Sequence, residues 1–101
     1  MNSKIKDNDT DAMFEAMMTL RTMDEFYNFF EDLCTVAEIK EMSKRFRAAV
    51  MLDASSAYSE ICAKTGLSTA TISRVNRCLK YGSDGYRTAL DRLADKTKEK
   101  N

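Results

Sequence analysis

Residues 59–80 read SEICAKTGLSTATISRVNRCLK, and this stretch decides the fold. Gly66 separates two short helical patterns and fits the glycine in the turn of a helix-turn-helix, over about residues 57–80. Cys62, four residues earlier, is small enough to let two helices cross closely. After the glycine, apolar residues recur on one helix face, namely Ile72, Val75 and Leu79. The stretch predicts two packed helices, with the opposite face of the second one turned to solvent.

That opposite face combines small polar side chains with cations and contains no acid. A recognition helix needs short residues near its N-terminus to approach base edges, and cations further along to meet phosphates or a guanine edge. We therefore predict that this helix binds DNA. The alternative is an ordinary glycine cap beside a solvated charged face. The candidate DNA-binding residues are Lys64, Ser68, Thr69, Ala70, Thr71, Ser73, Arg74, Arg77 and Lys80.

The charge distribution supports this prediction. Lys plus Arg total 16 and Asp plus Glu total 16, and a net charge of zero argues against coating nucleic acid by bulk attraction. The charges are nevertheless segregated, because residues 1–38 hold nine acids and three bases while residues 64–101 hold nine bases and four acids. Residues 64–83 contain four bases and no acid. A basic head is therefore joined to an acidic arm.

Composition excludes several classes of protein. A chain of 101 residues suits one small domain, and three Gly with no Pro make a hairpin-rich β fold improbable. The sequence has no His, and its three cysteines are at least sixteen residues apart, so we expect no catalytic residues and no metal site. It has neither an N-terminal apolar run nor a stretch of about 20 apolar residues, so we expect a cytoplasmic protein with no membrane partner.

The remaining periodicity predicts an all-α fold of about six short helices. A first helix follows a cap near Thr10 or Asp11, and a second carries Phe26, Phe29, Phe30 and Leu33 at helical spacing. Thr35 and Glu38 form a capping box that starts the third helix. Ser55 and Ser56 end that helix and offer a cap to the fourth. Ser68 or Thr69 caps the fifth, Gly82 follows its end, and the sixth runs from Ser83 through Ala94.

The first two helices carry more Met and Phe than a monomer of this size easily covers. One interpretation is a compact monomer core. The other is a helix-exchange homodimer, in which the surplus apolar surface packs against a second copy of the chain. We predict the homodimer.

Three strings resemble the tryptophan-repressor superfamily, and within it the YerC/YecD branch. They are FFEDLCTVAEIKEMSKRF at 29–46, TGLSTATISRVNRCLKYG at 65–82 and ALDRL at 89–93. The resemblance covers about residues 12–94. It implies an intertwined homodimer of six-helix subunits, in which the fourth and fifth helices of each subunit form a DNA-reading head. Members of that branch are known mostly as transcriptional regulators.

The resemblance also implies a candidate effector site. In the tryptophan repressor the indole lies between two arginines, and a threonine carbonyl and a serine help to hold the amino group. The threonine and the two arginines fall on Thr35, Arg45 and Arg74. Val75 replaces a glycine and Cys78 replaces the serine, so a branched side chain occupies space that the indole needs. We therefore expect no cofactor and no binding of tryptophan. Binding of another small effector remains an alternative.

The sequence thus predicts flexible ends at residues 1–9 and 96–101 around one helical domain at 10–95. The predicted function is a sequence-specific transcriptional regulator of repressor type, a homodimer on double-stranded DNA and not an enzyme. The alternative function is a protein-interaction module that keeps the helix-turn-helix only as a scaffold.

Overall fold

The structure, a computed structural model, describes residues 4–100, with side chains up to residue 98. These residues form six helices and no strand, which confirms the predicted all-α fold. The helices are α1 (Asn8–Met17), α2 (Met23–Leu33), α3 (Val36–Asp53), α4 (Tyr58–Thr65), α5 (Thr69–Tyr81) and α6 (Gly85–Lys100).

The two outermost helix boundaries differ from the prediction. The cap predicted near Thr10 or Asp11 is wrong, because the carboxylate of Asp7 accepts a hydrogen bond of 2.7 Å from the backbone N–H of Thr10 and starts α1 earlier. At the other end α6 begins at Gly85 rather than Ser83, and it continues to Lys100 rather than ending at Ala94. The residues after Ala94 contain no glycine or proline to stop the helix.

The capping box that starts α3 is confirmed. The backbone N–H of Thr35 donates to the Glu38 carboxylate at 2.8 Å, and the backbone N–H of Glu38 donates to the Thr35 hydroxyl at 3.1 Å. The first of these bonds holds the pKa of Glu38 below its ordinary value, since it favours the charged carboxylate. Two donors that would otherwise be free at the start of the helix are thus satisfied.

The helices group into two compact units. The first comprises α1, α2 and the first turn of α3 up to Ile39, and the second begins at Lys40. The second unit contains a buried apolar core made of Ala48, Ala49, Ile61, Leu67, Ile72 and Val75. The residues of this core belong to α3, α4, α5 and the turn between α4 and α5. The core therefore fixes the two helices of the helix-turn-helix against α3.

The first unit has no such core. None of its described residues is buried, and several large apolar side chains are exposed to water. Met18, Met23, Tyr27 and Val36 are each at least two-thirds exposed. The surplus of apolar surface predicted for the first two helices is therefore present in the single chain.

Ser55 adopts a left-handed conformation at the end of α3, with φ of 64°. The N–H of Ser56 donates to the carbonyl of Met51 at 2.9 Å, and that of Ser55 donates to the carbonyl of Leu52 at 3.0 Å. These two bonds define a Schellman motif, whose left-handed position is usually glycine. The prediction that a serine caps α4 is wrong. Its N-cap is Ala57, with no side-chain hydrogen bond, because both serines belong to the end of α3.

Replacing Ser55 with glycine should stabilise the protein. The left-handed conformation costs a residue with a Cβ about 1–2 kcal/mol, and the larger entropy of glycine in the unfolded chain offsets part of this gain. We expect Ser55→Gly to raise the free energy of unfolding by about 0.5–1 kcal/mol in urea denaturation. Ser56→Gly is the matched control, because Ser56 does not have a positive φ, and it should give no gain. Equal effects of both variants would contradict the strain at Ser55.

Candidate nucleic-acid interface

The turn between α4 and α5 is fixed by two neighbouring residues. Gly66 ends α4 in the left-handed conformation, with φ of 76°, and its N–H donates to the carbonyl of Cys62. A Cβ at Gly66 would meet no atom within 4 Å, so the glycine is needed for its backbone angle and not for space. The glycine predicted for the helix-turn-helix turn is thus in place.

Thr65 closes the same turn through a buried hydroxyl, which the sequence reasoning missed. The Thr65 hydroxyl donates to the carbonyl of Ile61 at 2.7 Å and accepts from the backbone N–H of Leu67 at 3.1 Å. It therefore connects the last turn of α4 to the chain beyond Gly66. A threonine directly before the turn glycine was the available signal, since its hydroxyl can replace missing backbone partners there.

Helix α5 is held by one face and exposed on the other. Ile72 is fully buried and Val75 is 4% exposed, which confirms the predicted inner face. Leu79, the third predicted residue of that face, is half-buried. Ser68 caps the helix as predicted, because its hydroxyl accepts from the backbone N–H of Thr71 at 3.1 Å.

Eight of the nine candidate DNA-binding residues are exposed, and all of them come from α4, α5 and the turn between these helices. The exception is Thr71, which is half-buried and accepts a further hydrogen bond from the Ser68 hydroxyl at 3.1 Å. One hydrogen-bonding position of the Thr71 hydroxyl is thus already occupied by the cap of α5. The exposed candidates are Lys64, Ser68, Thr69, Ala70, Ser73, Arg74, Arg77 and Lys80.

The cations of this surface differ in how strongly they are neutralised. Lys64 lies 3.2 Å from the Glu60 carboxylate, one turn earlier in α4, so its charge is partly compensated within the chain. Within residues 4–98, no acidic side chain pairs with Arg74, Arg77 or Lys80. We call the outward surface of α5 that contains these three cations the α5 cationic face. Its charge is free to interact with an external anion.

A cavity of about 270 Å³ opens beside the α5 cationic face. Arg45 of α3 and Arg74 of α5 both line it, so the structure brings together the two arginines of the predicted effector site. Thr35, the third residue of that site, belongs to the first unit, where it caps α3. The full lining is Arg45, Thr71, Arg74, Val75, Cys78 and Tyr86.

The chemistry of this cavity is mixed. Val75 and Cys78 contribute apolar surface, while a threonine hydroxyl and a tyrosine phenol accompany the two guanidinium groups. Arg45 is also 3.7 Å from the Glu41 carboxylate, which weakens its pull on a ligand. Burial raises the pKa of the Tyr86 phenol above its ordinary value, so this group stays a neutral donor at physiological pH. An uncharged or anionic ligand suits such a lining better than a cation.

Two residues of α6 also belong to the surroundings of the site, and the sequence reasoning did not identify them. Tyr86 lines the cavity and stacks in tilted fashion on Phe46, with ring centroids 6.5 Å apart. Arg87 binds both carboxylate oxygens of Asp53, at 2.8 and 3.1 Å, and thereby ties α6 to the end of α3. This pairing holds the pKa of Asp53 below its ordinary value. No sequence motif signals a contact between residues 34 positions apart.

The described residues offer little sign of other chemistry. Within residues 4–98, no three His, Cys, Asp or Glu side chains lie close enough together to hold a metal ion. Among the helices that the structure describes, none has the length and apolar character needed to cross a membrane.

Known proteins resemble this chain over nearly its whole length. Residues 8–94 match the family of the Trp repressor protein. YerC of Bacillus subtilis (strain 168), an uncharacterised protein, is 45% identical over 92 residues, which are 91% of this chain and 88% of YerC.

Two solved structures share the fold. A TrpR-like protein from Eubacterium eligens ATCC 27750 is 49% identical, with a TM-score of 0.88 over 92% of this chain and 96% of its own. A candidate Trp repressor from Staphylococcus aureus is 42% identical, with a TM-score of 0.87 over 93% of this chain and 94% of its own. The family match includes both helices of the interface and every residue that lines the cavity.

Proposed function

Because the chain belongs to the Trp repressor family, we propose that it is a sequence-specific DNA-binding transcription regulator of repressor type. It acts as a homodimer through its helix-turn-helix, in the bacterial cytoplasm where the DNA lies. The family is one of regulators, and this function requires neither a catalytic residue nor a cofactor. The protein is accordingly not an enzyme.

The observation that carries this proposal is the α5 cationic face. Three cations that have no acidic partner within residues 4–98 stand on the exposed side of a helix whose N-terminal turn presents only short side chains. Thr69, Ala70 and Ser73 allow the helix to approach base edges in a major groove. Arg74, Arg77 and Lys80 then supply contacts to phosphates or to a guanine edge.

The homodimer is supported by the exposed apolar surface of the first unit. A shallow groove there is lined by Met23, Phe26, Tyr27, Phe30 and Ile39, with almost no polar atoms. Covering such a surface with a second copy removes it from water and supplies the core that the first unit lacks. Two copies then present two recognition helices to half-sites about one helical turn apart.

Selection of bound sequences from a random DNA pool tests the function directly. We expect enrichment of a site with two-fold symmetry, together with the mass of a dimer in solution. The Arg74→Ala/Arg77→Ala double variant is the control and should enrich nothing. Failure of the unaltered chain to enrich any sequence would contradict specific DNA binding, and an enriched site without symmetry would contradict the dimer.

The alternative function is a protein-interaction module, and the apolar groove of α2 is the observation in its favour. In that case the first unit binds a different protein and the helix-turn-helix serves only as a scaffold. Heparin chromatography combined with a mass measurement separates the two functions. A dimer retained on heparin supports the DNA-binding regulator, whereas a monomer that passes through supports the interaction module.

We further propose that the cavity beside α5 does not accept tryptophan as co-repressor. Val75 both lines the cavity and belongs to the buried core, so it cannot move aside for an indole without strain. Cys78 offers only a weak hydrogen-bonding partner to an amino group. If the cavity binds an effector, the two arginines favour a small oxyanion.

Calorimetric titration with L-tryptophan should therefore detect no binding tighter than about 1 mM. The double variant Val75→Gly/Cys78→Ser removes both obstacles, and we expect it to bind tryptophan more tightly than the unaltered chain. Binding of tryptophan at micromolar strength to the unaltered chain would show that the cavity is open to an indole.

A further inference from the structure

Tyr81 is the most exposed large apolar side chain of the described residues, at 84%. It is the last residue of α5, and its hydroxyl makes no hydrogen bond to the described part of the chain. Burial of an aromatic side chain removes a large apolar area from water and stabilises the fold. The exposed ring of Tyr81 does not contribute this stabilisation. It also lies outside the core that holds α5 in place. The exposed ring is therefore available to an external partner.

The helical register places Tyr81 on the α5 cationic face. Tyr81 follows Arg77 by four residues and Arg74 by seven, and these spacings put all three side chains on the same side of a helix. The buried residues of α5 lie on the opposite side. Tyr81 thus extends the outward surface of α5 to the end of the helix.

The end of α5 leaves this position uncovered. Gly82 follows the end of α5 as predicted, with φ of −84° and ψ of −149°, so it does not adopt the left-handed conformation that is common after a helix. A glycine is required there for a different reason, because a Cβ would collide with the carbonyl oxygen of Cys78. The chain then turns through Asp84, which has φ of 65°, into α6. No further turn of helix follows Tyr81, so its ring stands at the tip of α5.

The dimensions of DNA indicate what this tip would meet. Helix α5 has 13 residues and is about 20 Å long, whereas the major groove is about 12 Å wide. If its N-terminal turn lies against the bases, its last turn reaches the sugar-phosphate rim. The phenol of a tyrosine is one of the donors that proteins use to bind phosphate oxygens.

We propose that Tyr81 donates its hydroxyl to a DNA phosphate at the edge of each half-site. This contact rests on the proposed function, because it requires α5 to enter the major groove. Tyr81 carries no charge and displaces no counterion, so it adds affinity without adding to the salt dependence. It also adds no sequence preference, since a phosphate is common to all base pairs.

The test compares Tyr81→Phe, which removes only the hydroxyl, with Thr88→Val, which removes an exposed hydroxyl from α6. Fluorescence anisotropy measures the affinity of each variant for the selected site and for a shuffled duplex over a series of salt concentrations. We expect Tyr81→Phe to bind both duplexes about tenfold more weakly, with an unchanged log–log salt slope. Thr88→Val should match the unaltered protein.

The outcomes separate this contact from the function on which it depends. Unchanged affinity of Tyr81→Phe, beside an unaltered chain that binds DNA, would overturn the contact and leave the function standing. A loss confined to the selected site would overturn the phosphate assignment. Failure of the unaltered chain to bind either duplex would overturn both proposals.

A second variant makes the result independent of affinity. The sequence contains no tryptophan, so Tyr81→Trp introduces a single fluorescent reporter at the tip of α5. Its emission should change on DNA addition, whereas the emission of Thr88→Trp, at an exposed position of α6, should not. An unresponsive reporter at position 81 on protein that is fully bound to DNA would overturn the contact.

Discussion

Arg77→Ala should weaken binding to every DNA sequence by about 10–100-fold and reduce the log–log salt slope by about 2. Each chain loses one cation that has no carboxylate partner among the described residues, so the proposed dimer should lose two phosphate contacts. Because phosphates are common to all sequences, the loss should be similar for the selected site and for a shuffled duplex. Anisotropy titrations over a series of salt concentrations measure both quantities.

Two other cation variants make this prediction specific. Arg21→Ala removes an exposed arginine from the first unit and should leave the affinity and the salt slope unchanged. Lys64→Ala should fall between these cases, because the Glu60 carboxylate already compensates part of the Lys64 charge. If Arg77→Ala and Arg21→Ala behave alike, the α5 cationic face is not where DNA binds.

Ile72→Ala should lower the free energy of unfolding by about 3 kcal/mol. Ile72 is fully buried between α5 and the rest of the second unit's core, and its truncation leaves a cavity there. This loss is a large fraction of the stability of a domain of this size. Urea denaturation at one fixed protein concentration measures it, since the stability of a dimer depends on concentration.

Ser73→Ala, on the neighbouring but exposed position of the same helix, is the matched control. It should leave the free energy of unfolding within about 0.5 kcal/mol of the original value and alter the preferred DNA sequence instead. An Ile72→Ala variant as stable as Ser73→Ala would contradict the placement of Ile72 in the core.

The family and the fold were predictable because local signals agree with one another. The turn glycine at 66, the serine cap at 68 and the Thr35–Glu38 box each act within four residues, so the sequence records them completely. The resemblance to the tryptophan-repressor superfamily and its YerC/YecD branch is confirmed by the family match and by YerC itself. The nine DNA-binding residues stay a prediction, as does the division into flexible ends and one domain.

The wrong helix boundaries and the contacts that were not predicted from the sequence have two physical causes. Helix ends were misplaced where several residues compete for one cap, as with Asp7 and Thr10, since only the geometry decides which oxygen reaches the free N–H groups. Long-range contacts were missed because their partners carry no local pattern. Tyr86 reaches the cavity, and Arg87 reaches Asp53, only once α6 has folded back along the second unit.

The α5 cationic face also determines how the proposed binding of DNA should respond to pH. Its charges come from arginine and lysine alone, and the sequence contains no histidine. Guanidinium and ammonium groups, like DNA phosphates, keep their charge between about pH 6 and pH 8. The affinity for DNA should therefore vary with the salt concentration and stay flat across that pH range.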